Sequence, residues 1–252
     1  MNTDARVYLS TFSVYNSRMS SLALVTGAAH RLGKVFALAL AHQGIDLLLH
    51  YHQSFDAARQ TQTEVESLGR RATLLQADLT DPVQIQSLVS AFDSLQILVN
   101  SAAFMPSGNV DALTLQNWDT ALDLNLRAPF LLAQECSKKM TDGGLIVNIT
   151  DVGAQKAWSR YPSYTVSKAG LESLTRILAR ALAPKIRVNA IAPGFVLQSD
   201  IVSDEEWQRL INRIPLKRPA RTDEIASALE FLLQNEYITG QTIVIDGGYS
   251  LI

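Results

Sequence analysis

The sequence predicts an α/β fold: a single-domain doubly wound sheet of about seven parallel strands with helices on both faces. Three observations carry this. Short apolar runs alternate with longer segments whose apolar residues recur every three or four positions. Several of the short runs are apolar throughout, as strands covered on both faces require. A glycine-containing turn follows the first run and opens the first helical segment, the layout of a Rossmann-type nucleotide site.

The strand candidates are Leu22 to Thr26, Ile45 to Tyr51, Ala72 to Gln76, Gln96 to Asn100, Gly144 to Ile149, Ile186 to Ile191 and Gln241 to Ile245. Amphipathic segments separate them. In Ser167 to Ala183, Leu171, Leu174, Ile177, Leu178, Ala181 and Leu182 fall on one stripe, as a crossover helix needs. No linker-like stretch interrupts the chain, and 252 residues with 47% hydrophobic content suit one large core. Residues 1–20 mix Asn, Thr, Ser, Tyr and Arg without the apolar segment of a signal peptide. They read as an N-terminal extension to a domain over 21–252, with Met19 an alternative start.

Composition narrows the function. A net charge of -2 with interspersed signs argues against a nucleic-acid partner. No apolar run reaches the roughly 18 residues of a membrane span, so a cytoplasmic protein is expected. The single cysteine, Cys136, follows Leu131, Leu132 and Ala133 and reads as a buried thiol. No metal site is expected, because His50 and His52 have no third ligand at a recognisable spacing.

In "LALVTGAAHRLGKVFALALAHQG", Gly27 permits a tight turn and Gly33 a close approach of helix and strand. The helix N-terminus beyond them can hold a pyrophosphate. Arg31 stands where many dinucleotide folds have glycine, and its guanidinium favours an anionic ligand. An acidic residue at the end of the second strand would hold the ribose 2′-OH of NAD and repel a 2′-phosphate. That strand ends instead in His50, Tyr51, His52, Gln53 and Ser54, with Asp56 placed in the following helix. The expected cofactor is therefore NADP, with His30, Arg31, His52 and Ser54 as candidate contacts. His50 and His52 as ordinary strand histidines is the alternative.

Tyr164 and Lys168 are four apart, on one helix face. A lysine ammonium beside a phenol favours the phenolate and makes the tyrosine a better acid at neutral pH.

"TGAAHRLG", "ADL" at Ala77 to Leu79, "LVNSAA" at Leu98 to Ala103, "LDLNLRAPF", "YTVSK", "RVNAIAPG" and "ITGQTIVIDGG" occur in this order. With them the chain resembles the short-chain dehydrogenase/reductase family from about Ser21 to its end. The resemblance implies that Tyr164 is the acid/base, that Lys168 binds the nicotinamide ribose, and that Asn125 supports a proton-relay water. It implies that Asp78 contacts adenine, that Asn100 lies along the cofactor, and that Pro193 and Gly194 flank the nicotinamide. Leu32, Leu79, Ser101, Ala102 and Thr150 complete the implied cofactor contacts, and a homotetramer or homodimer is the implied assembly.

The position thirteen before the tyrosine, serine in most of the family, is Asp151. An ionised carboxylate opposes the alkoxide formed in ketone reduction but can help protonate a reduced C=N nitrogen. A loop cap or a partner for a lysine is the alternative role. "TGAAHRLG", "LHYHQS" and "NITDV" resemble the pteridine reductase branch, which implies NADPH-dependent reduction of a dihydropterin or folate. The resemblance makes Phe104 a stacking residue, with simple core packing as the alternative. The implied substrate contacts are Arg31, Phe104, Asp151, Tyr164, Phe195 and Leu197. Gln53, where the branch often has arginine, and Ala103, near a usual serine, depart from that pattern. Asp200, Asp204, Glu205 and Glu206 suit either a donor-rich substrate edge or a solvated helix start. Reduction of a 3-oxoacyl thioester or another carbonyl is the nearest rival, and a non-catalytic NADP-binding sensor a third reading.

Overall fold

The computed structural model describes residues 21–252 apart from 157, 200 and 201. The expected N-terminal extension and Asp200 lie outside the described residues. Seven parallel strands form one sheet in the order β3-β2-β1-β4-β5-β6-β7. They are β1 Leu22–Val25, β2 Asp46–Tyr51, β3 Ala72–Gln76, β4 Leu95–Asn100, β5 Met140–Ile149, β6 Ile186–Pro193 and β7 Thr242–Ile245. The helices are α1 Arg31–His42, α2 Phe55–Ser67, α3 Pro82–Ser90, α4 Leu115–Leu122, α5 Ala128–Ser137, α6 Pro162–Leu182, α7 Asp204–Arg213 and α8 Thr222–Gln234.

The apolar strands are buried on both faces because side chains alternate across the sheet. Ala23, Val25, Leu47, Leu49, Ile97 and Val99 meet Phe36 and Leu40 of α1 and Leu229 and Leu232 of α8. Their neighbours Leu24, Leu48, Leu98 and Ile146 meet Ile85 and Leu88 of α3, Leu132 and Cys136 of α5, and Leu178 of α6. Burial pushes the Cys136 thiol up to about 12, which makes it an inert packing group.

Two features depart from the periodic reading. β5 begins at Met140, four residues earlier than Gly144, because Met140 pairs with Leu95 before the register shifts and Leu145 pairs with Ile97. Gly143, at φ +81°, lies in that irregular stretch. Between α4 and α5 the helix widens into a π-helical turn over Asp123–Arg127, and Asn125 is buried within it. Such turns often sit at functional sites. Among the described residues no helix is long and apolar enough to cross a membrane.

Candidate active site

The polar residues gather beyond the carboxyl ends of the strands, where the crossovers leave a crevice. Gly27 has φ +66°, and a Cβ there would stand 2.9 Å from Ala102 Cα. A Cβ on Gly33 would fall 2.1 Å from Gly27 O, so the helix packs on the turn only with glycine at that place. His30, extended and exposed, leaves α1 without a side-chain cap, and the first-turn N–H groups remain for an anion. Leu32 packs against the core. Arg31 takes φ 48° and donates to Leu197 O at 2.7 Å and Gln198 O at 3.1 Å. Its guanidinium thus ties the glycine turn to the loop after β6.

The end of β2 separates the two histidines. The His50 ring is buried, with Nδ1 accepting from Gly27 N–H at 3.1 Å and Nε2 3.0 Å from Ala77 O. This is the strand-histidine alternative, since no ring atom is left to reach a cofactor. His52 is exposed, with Nε2 3.9 Å from Asp78 Oδ2, and Gln53 and Ser54 lead into α2 beside it. Tyr51 is buried with its ring 5.8 Å from that of Phe55. Asp56 lies in the first turn of α2, so no carboxylate occupies the strand end.

Asp78 accepts from Thr80 N–H and Oγ1–H at 2.9 and 2.7 Å, while the Leu79 side chain is buried in the core. Asn100 donates to Asn148 Oδ1 at 2.8 Å, yet its own Oδ1 is buried without a hydrogen-bond partner. Such an atom calls for a donor from a bound molecule or water. Ser101 and Ala102 N–H groups donate to Thr26 Oγ1 at 2.9 and 3.0 Å. Thr26 was absent from the candidate residues, although a hydroxyl ending an apolar strand is a signal for it. Thr150 N–H donates to Ile191 O at 2.9 Å. A Cβ on Gly194, which follows Pro193 at the end of β6, would stand 2.8 Å from Asp246 Cα.

Asp151, Tyr164 and Lys168 meet at the centre. Pro162 opens α6, and its first turns carry Tyr164 and Lys168 under the end of β5. Tyr164 Oη donates to Asp151 Oδ2 at 2.8 Å, and Asp151 Oδ1 accepts from Gly153 N–H at 2.6 Å. Asp151 therefore caps the short 3₁₀ turn Val152–Gln155 as well as facing the phenol. Lys168 Nζ donates to Ile149 O at 2.7 Å and lies 5.6 Å from the Tyr164 ring centroid. Burial and the adjoining Asp151 carboxylate raise the Tyr164 phenol well above its usual range. Lys168 was expected to shift it the other way; burial first, then the Asp151 carboxylate in direct contact, set the direction. Burial raises Asp151 against the opposing pull of Gly153, Tyr164 and Lys168, and burial lowers Lys168 to about 8.

Asn125 accepts from Phe104 N–H and donates to Phe104 O, both at 2.8 Å, and donates to Ser167 Oγ at 2.9 Å. Its side chain is committed to holding the Phe104 backbone and the Tyr164 helix. Phe104 is half-buried at the crevice edge. Phe195 packs edge-on against Tyr249 and Trp207, at 5.0 and 5.8 Å between centroids, and so belongs to an aromatic cluster behind the crevice. Leu197 is partly exposed, and Asp204, Glu205 and Glu206 form the first turn of α7 behind the Ser203 cap, the solvated-helix alternative.

The family model described as Enoyl-(Acyl carrier protein) reductase matches residues 27–250. The chain belongs to the short-chain dehydrogenase/reductase family. As a member of that family it agrees with the NADP-dependent oxidoreductase expected from the motifs. The 3-oxoacyl-acyl-carrier-protein reductase FabG of Staphylococcus aureus is 34% identical over 242 residues, which cover 92% of this chain and 98% of that protein. FolM alternative dihydrofolate reductase 1 from Brucella canis, solved with NADP, has a TM-score of 0.86 at 35% identity, covering 92% of this chain and 94% of its own. The angucycline C-6 ketoreductase LanV with bound NADP has a TM-score of 0.88 at 30% identity, covering 92% and 96%.

Proposed function

We propose that this family member is an NADPH-dependent reductase of a C=N bond in a dihydropterin or dihydrofolate, giving the tetrahydro form. The observation that carries the reading is the Asp151 carboxylate held 2.8 Å from the Tyr164 hydroxyl. The residues fit the cofactor: the orphaned Asn100 Oδ1, the uncapped start of α1 and the carboxylate-free end of β2 are what a dinucleotide with a 2′-phosphate requires. Gly27, Gly33, Asn100, Asp78 and Lys168 would hold it, with His52 and Ser54 toward the 2′-phosphate. When bound, NADPH supplies a hydride to the ring carbon.

The chain's own residues manage the proton that the ring nitrogen must gain. Asp151, raised by burial, takes up a proton more readily than an exposed carboxylate. Its contact with Tyr164 lets the pair share that proton and present it to the nitrogen. Lys168 supplies positive charge beneath the pair without contacting the carboxylate. A ketone fits less well, because its developing alkoxide would face Asp151, and the phenol proton is already directed at that carboxylate. FolM supports the pterin or folate substrate; FabG and LanV favour the carbonyl reading, in which Asp151 merely replaces a serine. Assembly as a homotetramer or homodimer belongs to the same proposal.

The deciding assay follows loss of NADPH absorbance with a 7,8-dihydropterin, dihydrofolate and an acetoacetyl thioester in parallel, with NADH as cofactor control. Turnover of the pterin or folate, reduced about 100-fold or more in Asp151→Ala and Tyr164→Phe, is expected. Turnover of the thioester alone, preserved in Asp151→Ser, would replace this reading with the carbonyl one. NADPH binding without turnover of any substrate would favour the sensor.

A further inference from the structure

We infer that His50 is a positioning residue for the cofactor, acting through the phosphate turn it holds and touching no part of the ligand itself. The inference rests on the NADP reading and is independent of which substrate is reduced. The His50 side chain joins two segments that converge at the end of β2. Its Nδ1 accepts Gly27 N–H at 3.1 Å, and its Nε2–H donates to Ala77 O at 3.0 Å. The backbone adds to the seam: His50 O accepts from Ala28 N–H at 2.9 Å, and Ala77 N–H donates to Tyr51 O at 3.1 Å. Two successive N–H groups of the glycine turn are therefore fixed by one residue. Ala77 directly precedes Asp78, so the ring spans from the phosphate turn to the wall expected to meet adenine.

Only the neutral Nε2–H tautomer satisfies both bonds, because Gly27 brings a donor and Ala77 an acceptor. The surroundings keep it neutral. The ring is 3% exposed, and burial lowers it to about 4 against the pull of the Ala77 carbonyl; His52 reinforces the lowering and Asp78 opposes it. The imidazole therefore gives the turn a fixed shape without adding charge beside the phosphates. A turn already held in its binding conformation loses less freedom when the dinucleotide arrives, which appears as affinity. Gly27 itself has no room for a side chain, since a Cβ there would stand 2.9 Å from Ala102 Cα.

The test is NADPH affinity of the full chain, read by enhancement of NADPH fluorescence without any substrate, beside the melting temperature of the ligand-free protein. His50→Phe keeps a buried ring but offers neither bond. It is expected to weaken NADPH about tenfold at unchanged stoichiometry. His50→Asn, which keeps an acceptor close to Nδ1, is expected to recover part of the loss, and it serves as the deciding variant if the phenylalanine form does not fold. Wild-type affinity should also fall as the pH approaches about 4, where the protonated ring would turn a donor toward Gly27 N–H, and less steeply in His50→Asn. The proposal is overturned if folded His50→Phe, or a destabilised His50→Asn where the phenylalanine form does not fold, binds NADPH as the wild type does while only its melting temperature drops, since that is a purely structural histidine. Failure of the protein to reduce a pterin would leave this outcome unaffected; failure of wild type to bind NADPH would overturn both readings.

Discussion

At Lys168 burial and neighbouring charge oppose one another. Desolvation lowers the ammonium to about 8, and the Asp151 carboxylate pulls it back up. Its unfolded value is 10.5, so between about 8 and 10.5 the unfolded chain binds the more protons, and stability must rise with pH across that window. The contribution is fully present above 10.5 and is lost as the pH falls through about 8. The melting temperature of the wild type relative to Lys168→Met is therefore expected to climb from neutral to alkaline pH in the ligand-free protein. A flat difference would mean that the native lysine titrates as it does in the unfolded chain. The same comparison explains what the spacing of Tyr164 and Lys168 left hidden. Helical periodicity places both on one face, but it gives neither the burial of the phenol nor the contact of a carboxylate thirteen residues upstream, and these two together raise the phenol.

At the scale of elements, the two ends of α1 illustrate why glycine is required for two different reasons. Gly44, at φ +82°, has nothing within 4 Å of an added Cβ, so Gly44→Ala meets only the left-handed backbone cost of about 1–2 kcal/mol. Gly33 has ordinary helical geometry, yet its Cβ would overlap Gly27 O at 2.1 Å. Gly33→Ala must push α1 away from the strand end, and is expected to cost about 3 kcal/mol or more and to abolish NADPH binding. Thermal melts with NADPH titration check both, and a Gly33→Ala protein that binds normally would show that the turn yields to the added methyl. Gly27 and Gly33 were legible because a glycine turn between an apolar run and a helical stripe has one main use. The strands were legible for a related reason, since two-faced burial writes itself as an unbroken apolar run. The π-helical turn at Asn125 was not, because one extra residue in a helix leaves no periodic trace, and its partners Phe104 and Ser167 come from distant segments. The inward turn of His50 was equally hidden: the donor it accepts from belongs to the β1–α1 turn and the acceptor it donates to follows β3, and only the assembled sheet brings them together.

For the whole molecule, the apolar groups left outside the core fall on both sides of the sheet. Phe130 of α5 is 41% exposed and Ile177 of α6 61%, while on the other side Phe231 of α8 is 47% exposed. The run Phe130, Leu131, Leu132 is divided by its helix: Leu132 is buried at 1% and Phe130 faces outward. Residues two apart on a helix point some 200° from each other, so one run can serve both the core and a partner. Two apolar faces on opposite sides suit two different two-fold contacts, and two such contacts together build a tetramer with dihedral symmetry. If the faces act separately, Ile177→Asp and Phe231→Asp should each give a dimer, and the double variant a monomer, as read by sedimentation of the ligand-free protein. A wild-type monomer would remove the proposed assembly. A tetramer unaffected by either charge would place the contacts elsewhere on the surface. The site itself should outlast the loss of one contact, because Tyr164, Lys168, Asp151 and Asn125 are held by hydrogen bonds within their own chain. A dimeric Phe231→Asp protein is accordingly expected to keep wild-type NADPH affinity, and a matched loss of affinity and of the tetramer would mean that the partner subunit shapes the crevice.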